Sequence, residues 1–121
     1  MKDMIEQLTE DVVQAIEDKK GMDTLVINVQ GRSAITDRFV LATGRNNRQL
    51  KAMAQSVVAA AHQHGMSTHI EGLEAAEWLL IDLGDVVVHL FLPDVRETFQ
   101  LERLWALPER RVESGEDASY Q

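Results

Sequence analysis

A hairpin motif at residues 77–91, E-W-L-L-I-D-L-G-D-V-V-V-H-L-F, constrains the fold of this chain more than any other segment. Two apolar runs meet at Gly84-Asp85, and a glycine in first place is typical of the two-residue turns that close tight β-hairpins. Because side chains alternate across a strand and face each other in pairs, the turn also determines which residues share a face. The motif therefore predicts two antiparallel strands.

The two faces of this predicted hairpin differ in chemistry. The aliphatic face has the pairs Leu83–Val86, Ile81–Val88 and Leu79–Leu90. The other face has the pairs Trp78–Phe91, Leu80–His89 and Asp82–Val87. We expect helices to cover the aliphatic face. Aromatic residues beside a histidine and a carboxylate indicate that the other face binds a partner.

Apolar residues at helical spacing predict three helices. The first covers residues 3–20, with Gly21 as its left-handed cap, and the second runs from Asn46 to Gly65. A short final helix, with Asp94 and Glu97 as its capping residues, is predicted to contain Phe99, Leu101, Leu104 and Trp105.

The remaining apolar runs complete a sheet. Strands are predicted over 24–29, 38–43 and 68–71, in addition to the hairpin. The order of elements predicts a single α/β domain with a mixed five-stranded sheet and helices mainly on one face. This domain is expected to span residues 1–107, and the polar, non-periodic residues 108–121 to form a disordered tail.

Charged residues are separated along the chain, within a net charge of −8. Between residues 68 and 94 there are six acids and no Lys or Arg, whereas residues 32–51 hold five bases and one acid. The acidic balance argues against a protein that coats nucleic acid through phosphate contacts alone. The separation suits a basic protein partner that stands beside RNA, although solubility alone also explains an acidic surface.

Other features of composition limit the classes of protein. There is no Cys, so disulfides and thiolate metal sites are excluded. No apolar run approaches the roughly 20 residues that span a bilayer, and the amino-terminal segment resembles an acidic helix rather than a signal peptide. We therefore expect a cytoplasmic protein with no membrane contact and no cofactor.

A catalytic site is the alternative interpretation of three carboxylates at strand ends, Asp37, Asp82 and Asp85. Metal-dependent phosphoryl transfer needs carboxylates that converge on one cation, commonly from a D-x-D pair, and the sequence has no D-x-D. We interpret these residues as turn formers and surface charges, and predict neither catalytic nor metal-binding residues. A nucleotidyltransferase-like enzyme that uses Asp37, Asp82 and a divalent ion stays open as the alternative.

The loop G-R-N-N-R at residues 44–48 opens the second helix. Asn46, with Gln49 three residues later, resembles a capping box, which suffices to explain the loop. A phosphate contact to RNA through Arg45 or Arg48 is the second interpretation.

Three strings resemble the ribosomal silencing factor family, also called Iojap-like proteins. They are S-A-I-T-D-R-F-V-L-A-T-G-R-N-N-R-Q, the hairpin motif and L-E-R-L-W, in this order, and the resemblance covers about residues 4–105. It implies a nucleotidyltransferase-like topology without the catalytic site. It also implies binding to the large ribosomal subunit through large-subunit ribosomal protein fourteen. The bound factor would hinder association with the small subunit and lower translation when nutrients are short, and organellar relatives assist large-subunit assembly.

The resemblance also implies a set of characteristic positions: Ser33, Asp37, Arg48, Trp78, Asp82, Asp85, His89, Arg96 and residues 101–105. Combined with the hairpin faces, it predicts these partner-binding residues: Asp37, Trp78, Leu80, Asp82, Asp85, His89, Phe91 and Arg96. Trp78 and Phe91 are predicted aromatic anchors, and His89 a polar contact between them. A homodimer through the same face is a further interpretation for the free protein.

Overall fold

A mixed five-stranded sheet forms the centre of the computed structural model, which describes residues 3–101. The elements in chain order are α1 (Met4–Asp18), β1 (Met22–Asn28), β2 (Arg38–Thr43), α2 (Asn47–Gln63), β3 (His69–Glu71), β4 (Trp78–Asp82), β5 (Val86–Phe91) and α3 (Pro93–Phe99). None of these three helices is long and apolar enough to cross a membrane.

The strand order is β1-β2-β5-β4-β3, so the carboxyl-terminal hairpin is inserted beside β2. Strands β2 and β5 are parallel, and the other neighbouring pairs are antiparallel. The predicted mixed sheet of five strands is therefore confirmed. Its central strand, β5, is buried along its whole length, in keeping with a position between two neighbours.

The hairpin of β4 and β5 has the register that the sequence predicts. Trp78 pairs with Phe91, and the pairing continues without a shift to Asp82 and Val87. The turn is closed by a hydrogen bond of 2.9 Å from the Leu83 amide to the Val86 carbonyl. Gly84 has φ +91°, a conformation that only glycine adopts at low cost, so the glycine-first turn is confirmed.

Helices α1 and α2 cover the aliphatic face of the sheet. Asp3 caps α1 by accepting the Glu6 amide at 2.8 Å, and Asn46 caps α2 by accepting the Gln49 amide at 2.8 Å. The two helices and the sheet bury one apolar cluster, whose fully buried members include Val12, Ile16, Leu50, Met53, Val57, Leu79, Ile81, Val88 and Leu90. This cluster is the main core.

The end of α1 differs from its prediction. Lys20, and not Gly21, takes the left-handed conformation, with φ +65°. Gly21 is required for close packing instead, because a Cβ atom there would lie 2.4 Å from Ile16 Cγ2. The glycine therefore marks the site where the chain turns tightly over its own helix.

Helix α3 also differs from its prediction. It begins at Pro93, whose missing amide hydrogen suits the first helical position, and its N-cap is Leu92 rather than Asp94. It ends at Phe99 because Gln100 has φ +48°, so Leu101 lies outside the helix. Leu104, Trp105 and the predicted tail, residues 108–121, lie outside the described residues.

Candidate functional site

The side of the sheet opposite α1 and α2, which we call the aromatic face, carries the candidate site. Strand register places Leu41, His89 and Leu80 in one row across β2, β5 and β4, and Phe91 beside Trp78 in the next row. The short helix α3 covers part of this face, where Val95 and Leu101 pack against a second small core. That core contains Leu25, Ile27, Val29, Leu41 and Phe91.

Trp78 is held from several sides. Its indole Nε1 donates a hydrogen bond of 3.0 Å to Nδ1 of His89. Its ring lies 5.3 Å from the ring of Phe91 and 4.9 Å from that of Phe99, within the range of favourable aromatic contacts. Trp78 nevertheless stays half-buried, so part of the indole reaches the surface.

His89 lies beneath this surface, with 7% of its area exposed. Desolvation by burial lowers the pKa of His89 from 6.5 to about 4, so the ring is neutral at pH 7. Since Nδ1 accepts the indole hydrogen, the proton of the neutral ring is assigned to Nε2. The histidine thus orients Trp78 with an uncharged acceptor.

Phe91 and Leu80 have different positions on the face. Phe91 has no exposed surface, and its ring supports that of Trp78 from beneath. Leu80 is half-buried and lies on the same side of β4 as Trp78. Phe99 is 55% exposed and adds apolar surface next to the indole. No sequence pattern indicated the contact between Phe99 and Trp78.

Arg96, a predicted partner-binding residue, makes hydrogen bonds within the chain. Its Nη1 donates to the Asp23 carbonyl at 2.6 Å and to Thr43 Oγ1 at 2.9 Å. These bonds connect α3 to the start of β1 and the end of β2. Arg96 therefore positions the helix that carries Phe99.

The three predicted aspartates lie at the other end of the sheet from Trp78. The Asp37 amide donates to the Asp85 carbonyl at 3.0 Å, which joins the start of β2 to the hairpin turn. The Asp82 carboxylate accepts the Gly84 amide at 2.8 Å, as the turn-forming interpretation requires. Asp85 is exposed in the turn. Residues 3–101 contain no group of three or more His, Cys, Asp or Glu side chains that could hold a metal ion.

Arg45 and Arg48 are exposed at the start of α2. The capping interpretation of their loop is confirmed by the Asn46 cap and by Gln49, whose Oε1 accepts the Arg45 amide at 2.6 Å. The loop lies at the Trp78 end of the sheet, because the amide of Gly44 donates to the carbonyl of Phe91 at 2.9 Å.

Comparison with known proteins identifies the family. The sequence profile described as "Ribosomal silencing factor during starvation" matches residues 2–120. The chain is 42% identical to a ribosomal silencing factor of Zymomonas mobilis over 103 residues, which cover 83% of this chain and 76% of that protein. It is 38% identical to a ribosomal silencing factor of Haemophilus influenzae over 100 residues, which cover 82% of this chain and 98% of that protein.

A crystal structure of a Chromobacterium violaceum protein has the same fold, with a TM-score of 0.82, 37% identity and 90% coverage of both chains. The names of the family and of the two relatives describe regulatory factors and not enzymes, as the sequence predicted. With a profile match over almost its whole length and close relatives of similar size, the chain belongs to the ribosomal silencing factor family.

Proposed function

We propose that the protein binds the large ribosomal subunit through large-subunit ribosomal protein fourteen and sterically blocks association with the small subunit. It would thereby repress translation under nutrient limitation, and would act in the cytoplasm, where the ribosomes are. Family membership supports a ribosomal target. The observation that carries the proposal is a half-buried Trp78, fixed by His89, on a face that α1 and α2 leave uncovered.

In this mechanism Trp78 is the central anchor. Tryptophan is among the residues most enriched at interface hot spots, which lie in well-packed settings. Leu80 and Phe99 provide neighbouring apolar contact, and His89 and Phe91 keep the indole in place from beneath. An interface of about 1,200–2,000 Å² would suffice for a specific complex of this size.

Acidic residues at both ends of the hairpin suit a basic partner. Asp82 is half-buried on the face, and Glu77 and Asp85 are exposed at the two ends of the hairpin. These carboxylates, which we call the acidic edge, complement a basic ribosomal protein. They mainly set the orientation of the complex and its association rate. Asp37, next to the turn, extends the same acidic edge.

The first test is binding of purified large subunits by Trp78→Ala. Loss of a central aromatic anchor should weaken binding by about 2 kcal/mol or more, which is roughly a thirtyfold rise in Kd. A second variant, Leu80→Arg, places a cation against the basic partner and should also weaken binding. The control is Met4→Ala, because Met4 is 72% exposed at the start of α1 and far from the aromatic face. Undiminished binding by both folded variants would refute the assignment.

The steric step has its own test. Wild-type protein, added before large and small subunits are mixed, should reduce the fraction that sediments as joined ribosomes, and Trp78→Ala should not. If the bound protein leaves subunit joining unchanged, it occupies the large subunit without blocking it, and the repression mechanism is wrong.

Light scattering of the free protein at several concentrations tests whether a second copy covers the same face.

A further inference from the structure

The structure brings together five exposed cations from two segments that are distant in sequence. This group, which we call the basic cluster, consists of Lys19, Lys20, Arg45, Arg48 and Lys51. The connection is made by Gln49, whose Nε2 donates to the carbonyls of Lys19 and Lys20 at 3.0 and 2.9 Å. The other end of the same amide accepts the Arg45 amide. The end of α1 and the start of α2, which carry these cations, are therefore held next to each other.

The basic cluster stands out against the charge of the molecule, which is −8 overall. Arg48 and Lys51 line an open surface depression of about 760 Å³. The Asn46 side chain already accepts the Gln49 amide at the start of α2, so the charge offered to a ligand is mainly that of the five side chains. Clustered Lys and Arg side chains on one surface are the usual footprint of phosphate-backbone binding.

The basic cluster lies close to the proposed docking site. Thr43, Phe91 and Trp78 form one row across β2, β5 and β4, so the Trp78 backbone is about 10 Å from the end of β2. Arg45 follows two residues after that end. Asn47 also joins the two regions, because its side-chain amide donates to the carbonyls of Ala75 and Ala76, just before β4.

We propose that the basic cluster binds the phosphate backbone of ribosomal RNA beside the protein that Trp78 contacts. This inference rests on the proposed function, since it takes the large subunit as the target. The exposed Glu74 and Glu77 flank Ala75 and Ala76, whose carbonyls accept the Asn47 amide, so acidic residues lie close to the start of α2. A target that fits has RNA phosphates next to a basic protein, as a ribosomal surface does.

The test compares two double variants. In the first, Arg45→Gln and Arg48→Gln are made together. The matched control, Gln7→Glu together with Gln63→Glu, changes the net charge by the same amount. Both control positions are exposed and lie away from the basic cluster, near the start of α1 and at the end of α2. Binding to purified large subunits is measured across a range of salt concentrations, and binding to isolated large-subunit ribosomal protein fourteen is measured in parallel.

Removing two phosphate contacts should lower the slope of log affinity against log salt by about two. Between roughly 50 and 200 mM salt, the affinity of the wild-type protein for large subunits should therefore fall about tenfold more than that of the variant. The control should keep the wild-type slope, and replacement of both arginines by lysine should largely restore it. Affinity for the isolated ribosomal protein should not change in the arginine variant.

The outcomes separate this proposal from the docking proposal. An unchanged salt slope for large subunits overturns the RNA contact, and so does an equal loss of binding to the isolated ribosomal protein, which would place a protein against the basic cluster. If the wild-type chain binds subunits but not the isolated protein, the docking partner is wrong, and the salt slope still decides the RNA contact.

Discussion

His89 couples the stability of the domain to pH. Its pKa is lowered from 6.5 to about 4 by burial, so above pH 6.5 the ring is neutral in both the folded and the unfolded chain. As pH falls from 6.5 to 4, the unfolded chain takes up a proton that the native ring resists, and the free energy of unfolding decreases. The total loss should be about 3 kcal/mol, complete below pH 4. Urea unfolding at pH 7, 5.5 and 4 measures it.

His89→Leu is the control variant for proton uptake by this ring, because the leucine side chain does not titrate. The variant should lose less stability than the wild-type protein between pH 7 and 4, even if it is less stable at pH 7. Equal losses in the two proteins would contradict the role of this ring. In the wild-type protein, protonation also removes the Nδ1 acceptor of Trp78, so tryptophan fluorescence should change in the same pH range.

At the scale of elements, Arg96 makes α3 part of the candidate site. Arg96→Ala removes the bonds to Asp23 and Thr43, and should cost about 1–3 kcal/mol of unfolding free energy. With α3 loosened, Phe99 loses its fixed contact with Trp78. Hydrogen exchange should then speed up in residues 93–101 more than in α2. Glu97→Ala, an exposed neighbour on the same helix, should leave exchange unchanged, and equal effects of both variants would contradict this role.

The elements also show how far sequence alone reaches. The hairpin register and both of its faces were predictable, because a two-residue turn determines every pair that follows it. The hydrogen bonds from Arg96 to Asp23 and from Gln49 to Lys19 were not predictable. They join residues 73 and 30 positions apart, and they depend on how separate elements pack. The burial of Phe91 was also unforeseen, because alternation gives the face of a strand residue but not what covers that face.

For the whole molecule, charge distribution should control how fast the protein finds its target. Glu77→Gln with Asp85→Asn removes two exposed carboxylates next to the aromatic face. At low salt, association with large subunits should slow roughly threefold to tenfold, with little change in dissociation. Stopped-flow mixing with labelled subunits measures both rates. Glu6→Gln with Glu17→Gln removes the same charge from α1; if it slows association equally, net charge rather than the acidic edge sets the rate.

The fixed indole has a consequence for the cost of complex formation. Most large side chains must give up rotameric freedom when a partner immobilises them, at about 0.5–1.5 kcal/mol each. Trp78 has already given up that freedom during folding, through its hydrogen bond to His89 and its ring contacts with Phe91 and Phe99. A binding partner therefore contacts an indole ring that is already ordered, and nearly all of the free energy of that contact contributes to affinity.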